Sequence, residues 1–139
     1  MASGKARQQP RSSFYAARMD TRAAADRAAA TIHERAGRTP TVGLICGTGF
    51  AACTDVLEDR VTIPFEDLGF RPSAIPDHVN EVDIGELDGI TVAAVQAKVL
   101  PCDDAAWQES GLPARTLARA GCGTLLYSAT SGSMRQDVS

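Results

Sequence analysis

The apolar residues of this chain fall into short runs, separated by glycine, proline and charged positions. Val42 to Cys46 is too short a run for a helix and too uniformly apolar for a half-exposed strand, so it predicts a buried, interior strand. Arg60–Pro64 predicts another strand, and Gly123–Ser128 predicts a second buried strand. Short strands mixed with helical segments indicate an α/β fold, with a mixed sheet flanked by helices.

The clearest local signal is a hairpin over residues 81–97. Apolar residues lie on both sides of Asp88-Gly89, a dipeptide favoured in two-residue turns. The segments before and after the hairpin, residues 65–80 and 99–113, are rich in proline and glycine, and we expect both to be irregular.

Helices are predicted in three places. The first begins after Asp20, a good N-cap residue, and ends at Gly37. Another runs from Pro113 to Ala120, since proline is tolerated in the first turn of a helix. Residues 50–57 are small and compatible with a helix that starts directly after the strand ending at Cys46.

The chain has 139 residues, enough for one domain with a real hydrophobic core. We expect the domain to span residues 14–134, with flexible tails over residues 1–13 and 135–139. The net charge of −3 argues against broad nucleic-acid binding, which depends on Lys and Arg neutralising phosphates. No apolar run approaches the length needed to cross a membrane.

The four cysteines, Cys46, Cys53, Cys102 and Cys122, lack the spacing of a zinc site. With no signal-peptide apolar core near the N-terminus, reduced thiols in a cytoplasmic protein are expected. The sequence points to neither a metal nor a cofactor.

The turn after the first strand is the candidate site for chemistry. Gly47 and Gly49 permit a sharp turn, and Thr48 between them offers a hydroxyl group. Backbone N–H groups at such a turn bind anions such as phosphate. The alternative is a tight turn without a ligand. A second small-residue loop over residues 129–134 follows the last strand, and open α/β sheets bind ligands where such strands end.

Two histidines occur in the chain. His78 lies near the end of the irregular segment 65–80, where an imidazole would reach an anion, although a loop histidine is also a common surface residue. His33 lies on the first predicted helix and is interpreted as a solvated or locally paired residue rather than a catalytic one.

From Pro40 to Met134 the sequence resembles the N-terminal half of a purine nucleoside phosphorylase of the trimeric type. Ile45–Gly49 is similar to the family's strand followed by Cys-Gly-Ser-Gly, and Pro76-Asp77-His78 to its Pro-Gly-His loop. Residues 82–97 are similar to its hairpin, and Tyr127–Gly132 to its strand ending in a small-residue loop. The resemblance implies a truncated nucleoside-phosphorylase-like fold.

The resemblance also implies roles for individual residues. Phosphate binding would fall to Thr48, His78, Lys98 and Thr130, with acid, base or oxyanion chemistry at His78, Lys98 and Asp103. The substrate-binding set that it implies is Gly47, Thr48, Gly49, Cys102, Ala129 and Thr130.

Departures from the family pattern weaken this phosphate site. Lys98 replaces an arginine and loses the planar group that binds an oxyanion through two hydrogen bonds. Leu100 replaces a histidine donor, and Cys102 replaces an aromatic residue that packs the sugar. Asp103-Asp104 places two negative charges near the expected phosphate. The family's base-recognition residues lie in a half that the resemblance does not cover.

Two classes of function remain open. The chain is either a repurposed enzyme acting on a small molecule, rather than a conventional phosphorylase, or a non-catalytic phosphorylase-like subunit. In both cases we expect a small-molecule ligand, a nucleoside, phosphate or an unrelated metabolite. Because half of the family fold is absent from the resemblance, we expect a homo-oligomer or a complementing subunit to cover exposed sheet and helix surface.

Overall fold

The structure is a computed structural model, and it describes residues 20–47, 49–73, 79–97 and 107–129. It contains five strands and four short or medium helices in this part of the chain. The strands are β1 (Val42–Ile45), β2 (Glu58–Pro64), β3 (Glu81–Leu87), β4 (Ile90–Val95) and β5 (Thr124–Tyr127). The helices are α1 (Thr21–Ala36), α2 (Phe65–Leu68), α3 (Trp107–Ser110) and α4 (Leu112–Ala120).

All five strands form one mixed sheet with the order β2-β3-β4-β1-β5. β1 runs parallel to both of its neighbours, so that Leu44 pairs with Ala94 on one side and with Leu126 on the other. β2, β3 and β4 form an antiparallel meander. The mixed sheet and the interior position of β1 are therefore confirmed.

Helix α1 begins and ends as its sequence predicts. The Asp20 side chain accepts hydrogen bonds from the backbone N–H groups of Arg22 and Ala23, at 3.1 Å each, which satisfies two of the free donors of the first turn. Gly37 closes the helix in the left-handed conformation with φ of 63°. Five buried alanines and Ile32 face inwards, so the helix packs closely against the sheet and α4.

The hydrophobic core lies between the helices and one face of the sheet. Because side chains alternate along a strand, Val82 and Ile84 of β3 enter this core, whereas Asp83 between them lies on the other face. On that other face, Leu57 packs against Gly85. One face of the sheet is thus apolar and covered by helices, and the other carries polar groups.

The predicted hairpin is confirmed. Leu87 and Ile90 are the last paired residues, and the turn between them has φ of 50° at Asp88 and 77° at Gly89. Two successive positive φ values are what a two-residue turn needs to match the twist of the strands.

The helix predicted over residues 50–57 is wrong. The chain forms only a single 3₁₀ turn, Ala51–Thr54, before β2 begins at Glu58. Its hydrogen bonds join residues three apart, such as Cys53 N–H to the carbonyl of Phe50 at 3.0 Å. The short distance in sequence to β2 leaves no room for a longer helix, and so this turn is no helix N-terminus of the kind that binds anions.

Two single helical turns occur where the sequence predicts irregular structure. In α2, Phe65 and Leu68 are both buried in the core, and Gly69 ends the turn with φ of 68°. α3 directly precedes α4, which itself matches the prediction closely and ends at Gly121. Burial of Phe65 and Leu68, which lie three residues apart, selects α2, an effect that local sequence rules do not contain.

β5 is not the buried strand that its apolar sequence predicts. All four of its residues are exposed, with Leu126 at 56% and Tyr127 at 63%. The reason is its place in the sheet: within the described residues β5 pairs with β1 alone and forms an edge. None of the described helices is long and apolar enough to cross a membrane.

Candidate functional site

The carboxyl ends of three strands meet at one edge of the sheet. β4, β1 and β5 are neighbours and parallel, so the residues that follow them lie side by side. Cys46 donates its backbone N–H to Val95 of β4 at 2.9 Å, and Ser128 donates to Ile45 of β1 at 3.0 Å. The expected convergence of the first and last strands at one edge is confirmed.

The glycine turn lies on the middle strand of these three. The N–H of Phe50 donates to the carbonyl of Gly47 at 3.2 Å, which closes the turn. Gly49 has φ of 90°, and a Cβ atom there would meet nothing within 4 Å. Glycine is therefore needed at this position for its backbone conformation and not for close packing.

The structure tests the predicted site only in part. Gly47, Gly49 and Ala129 lie at the strand ends described above. The other predicted residues lie outside the described part of the chain, and their roles stay predictions: Thr48, His78, Lys98, Cys102, Asp103 and Thr130. His33 is exposed on α1, in agreement with its interpretation as a solvated residue.

A buried polar cluster that the sequence analysis missed lies next to this edge. The carboxylate of Asp83 is fully buried. Thr62 donates its hydroxyl to Asp83 Oδ1 at 2.5 Å, and the Gln96 side-chain amide donates to Asp83 Oδ2. The Nη1 atom of Arg60 lies 3.8 Å from the same carboxylate. These contacts compensate for removing the charge from water.

Gln96 links this cluster to the edge of the sheet. Its amide nitrogen also donates to the hydroxyl of Thr54 at 3.0 Å and to Oε1 of Glu81 at 3.3 Å. Arg60 donates to the carbonyl and the hydroxyl of Thr54, both at 3.3 Å. These hydrogen bonds connect the 3₁₀ turn after the glycines to β2, β3 and the end of β4.

Glu81 brings a titratable carboxyl group to the candidate site. It begins β3, which is antiparallel to β4, so it lies beside the carboxyl end of β4. Burial, followed by the nearby charge of Asp83, raises the pKa of Glu81, while Arg60 acts to lower it. A carboxyl group with a raised pKa is a candidate acid or base. The signal in the sequence was the Glu-Val-Asp spacing, which places both carboxylates on one face of a strand.

Two thiols also meet at the glycine turn. The sulfur atoms of Cys46 and Cys53 lie 3.4 Å apart. Burial, the hydrogen bond with Cys53, and the nearby charges of Cys53 and Asp83 raise the pKa of Cys46 to about 12. Burial raises the pKa of Cys122 to about 11. Both of these buried thiols are protonated at neutral pH.

Sequence comparison connects this architecture with known enzymes. The chain is 26% identical over 116 residues to purine nucleoside phosphorylase 1 of Geobacillus stearothermophilus, an alignment covering 83% of this chain and 42% of the relative. The enzyme of the same name from Bacillus subtilis (strain 168) is 26% identical over 113 residues, with 81% and 42% covered.

The chain resembles the purine nucleoside phosphorylases. No protein-family model matches it. The chain spans about 42% of the length of these curated relatives, and the similarity is to that portion of the phosphorylase sequence.

Solved structures agree on the fold. Isoform 2 of the Schistosoma mansoni phosphorylase, in complex with cytosine and ribose-1-phosphate, is 27% identical with a TM-score of 0.68, covering 76% of this chain and 37% of that one. The S. mansoni enzyme in complex with inosine aligns with a TM-score of 0.73 at 23% identity, covering 84% and 41%. The nucleoside-phosphorylase-like fold expected from the sequence is confirmed over this portion.

Proposed function

We propose that the chain binds a small anionic ligand, phosphate or the phosphate group of a phosphorylated sugar, where β1, β4 and β5 end. The observation that carries the proposal is the glycine turn on the middle one of three parallel strands, with both neighbouring strands ending beside it. Open α/β sheets bind ligands in such a place. In this proposal Thr48, His78 and Lys98 supply donors to the anion, as the resemblance implies.

The relatives support this ligand class. The S. mansoni isoform that is 27% identical to this chain binds ribose-1-phosphate together with cytosine. The two bacterial relatives are named as phosphorylases. Ribose-1-phosphate and inorganic phosphate are therefore the first ligands to test.

The chemistry proposed differs from conventional phosphorolysis. Glu81 and Asp83 place two carboxylates beside the candidate site, and only Arg60 of the described residues forms an ion pair with Asp83. Added to Asp103-Asp104 in the sequence, they weaken the binding of a phosphate dianion, so we expect a lower affinity for phosphate than a conventional phosphorylase site would give. This excess of carboxylates favours a repurposed enzyme, in which His78 or Asp103 acts as acid or base and Lys98 stabilises an oxyanion.

A non-catalytic subunit is the second candidate, and the exposed β5 edge favours it. Leu126 presents an apolar side chain to solvent on a strand that, among the described residues, pairs with β1 only. A second copy of the chain or a complementing subunit that continues the sheet would bury this surface.

Isothermal titration calorimetry with inorganic phosphate, ribose-1-phosphate and inosine tests ligand binding. We expect binding by the wild type and at least a tenfold weaker affinity in Thr48→Ala and His78→Ala, since each loses a donor to the anion. His33→Ala is the matched control, because it removes the other histidine from an exposed position and should bind like the wild type. Absence of binding by the wild type, or equal losses in all three variants, would contradict the proposal.

A turnover assay separates the two candidates. The protein is incubated with inosine, with and without phosphate, and with ribose-1-phosphate plus hypoxanthine, and the products are separated by chromatography. Conversion that disappears in His78→Ala supports an enzyme. Binding without any conversion excludes phosphorolysis and its reverse, and it is the result that the non-catalytic subunit requires.

A further inference from the structure

Cys46 and Cys53 flank the glycine turn, and their side chains meet across it. Cys46 follows β1 directly and is buried, whereas Cys53 lies in the 3₁₀ turn and is partly exposed. Their sulfur atoms are 3.4 Å apart, and both are free thiols. The chain between them contains two glycines, Gly47 and Gly49, and an added Cβ atom at Gly49 would meet nothing within 4 Å.

Each thiol is suited to a different step of thiol–disulfide exchange. Cys53 is reached from solvent, so it is the sulfur that a small disulfide in solution contacts first. Cys46 is protonated and buried, so it does not itself attack a disulfide in solution. It does lie in contact with the Cys53 sulfur, and this contact makes it the resolving thiol.

We propose that Cys46 and Cys53 form a reversible intramolecular disulfide that fastens the turn of the candidate anion site. The thiolate of Cys53 attacks a small disulfide such as oxidised glutathione, which forms a mixed disulfide and releases one reduced thiol. Cys46 then attacks the Cys53 sulfur, and its proton passes to the small thiolate that this attack displaces, which leaves as the second reduced thiol. Two protein thiols are thus oxidised, and one small disulfide is reduced.

The disulfide would change the mobility of the turn. A sulfur–sulfur bond of about 2.0 Å draws the 3₁₀ turn towards the end of β1. The backbone N–H groups of Phe50 and Cys53, which already bond within the turn, would then open less often. The inference concerns the thiols alone and holds whether or not the turn binds phosphate.

Trypsin, which cuts after lysine and arginine, separates this cysteine pair from the other cysteines of the chain. Cleavage after Arg38 and Arg60 by trypsin gives one peptide, residues 39–60, that carries Cys46 and Cys53 and no other cysteine. The native protein is exposed to oxidised glutathione, denatured, labelled with iodoacetamide and digested. We expect this peptide to carry no label, to weigh less than the reduced form by two hydrogen atoms, and to take two labels after reduction.

Variants and a second readout complete the test. Cys122→Ser should leave the result unchanged, since Cys122 is a buried cysteine with no described cysteine beside it. Cys53→Ser should leave Cys46 labelled. Amide hydrogen exchange at Phe50 and Cys53 should slow severalfold in the oxidised wild type.

Three results would overturn the proposal. One is that peptide 39–60 takes two labels after oxidation of the native wild type. Another is that it retains a glutathione adduct on Cys53, which would show that Cys46 does not resolve the mixed disulfide. The third is a link from Cys53 to the peptide carrying Cys102 or to a second copy of the chain.

Discussion

Asp83 is the residue on which the polar face of the sheet depends. Replacing it by alanine removes the acceptor of the Thr62 hydroxyl and one of the three acceptors of the buried Gln96 amide, and it leaves Arg60 without its buried counter-charge. We expect Asp83→Ala to lower the free energy of unfolding by about 2–4 kcal/mol, measured by urea denaturation.

Asp88→Asn is the matched control for this variant. Asp88 is an aspartate of the same hairpin, but it lies in the exposed turn with positive φ, which asparagine also adopts readily. Its urea transition should stay close to that of the wild type. If Asp83→Ala were equally benign, the buried cluster would not contribute to stability.

Glu81 gives the stability of the protein a pH dependence. Because folding raises its pKa above the ordinary 4.5, the native state holds a proton that the unfolded chain has already released. The free energy of unfolding therefore falls as pH rises above this value, and Glu81→Gln removes that contribution. We expect the variant to gain stability relative to wild type between pH 4 and pH 7, as followed by urea denaturation.

Glu34→Gln provides the comparison for the pH series, since Glu34 is exposed on α1. It should change by the same small amount at every pH. A constant difference between wild type and Glu81→Gln over the same range would show that Glu81 titrates alike in the folded and unfolded chain.

At the scale of single residues, the sequence predicted which residues form caps and turns better than it predicted which side chains contact each other. The glycine turn, the Asp20 cap and the Asp88-Gly89 turn carry their own local signal, and the structure confirms them. The Asp83–Gln96 contact joins two strands, so neither residue reveals it alone. The roles of Thr48, His78 and Lys98 remain predictions.

Among the elements, the connection between the 3₁₀ turn and β2 packs closely against the sheet at Gly85. A Cβ atom at Gly85 would lie 2.8 Å from the backbone oxygen of Glu58 and 2.8 Å from Cβ of Leu57. Neither atom belongs to the flexible end of a side chain. We expect Gly85→Ala to cost about 1–3 kcal/mol of stability in a thermal or urea transition.

Gly123→Ala is the corresponding control, because a Cβ atom there would meet nothing within 4 Å. It should be neutral or slightly stabilising, since alanine restricts the unfolded chain. Equal effects of the two substitutions would mean that the contact at Gly85 relaxes without cost.

The helices and strands also show which features local sequence rules predict and which they do not. α1, α4 and the hairpin are framed by caps and turn residues, and their bounds follow from the sequence. The 3₁₀ turn and the exposure of β5 depend on which strands neighbour each other in space. The apolar pattern of a run such as Gly123–Ser128 does not distinguish an interior strand from a strand at the edge of the sheet.

For the whole molecule, the open edge at β5 predicts association. Leu126 adds exposed apolar surface to a strand that is paired on one side only within the described part of the chain, a combination that favours contact with another polypeptide. We expect Leu126→Lys to shift the protein towards monomer at matched concentration, in light scattering coupled to size-exclusion chromatography.

Val56→Lys tests whether any exposed apolar residue would have the same effect. Val56 is as exposed as Leu126 but lies between the 3₁₀ turn and β2, at the other end of the strand order. It should leave the association unchanged. A wild type that is monomeric at all concentrations would remove the case for self-association.

The pairing pattern of the sheet also sets an order of folding. The β3–β4 hairpin joins neighbouring residues through a two-residue turn, and such hairpins form within about 1–10 μs. The β1–β5 pairing brings together Leu44 and Leu126, whose contact closes a loop of most of the chain. We expect β5 to dock late and to open first, so that its amides exchange with solvent sooner than those of β3 and β4. The strand that borders the candidate site would then be the least persistent part of the sheet.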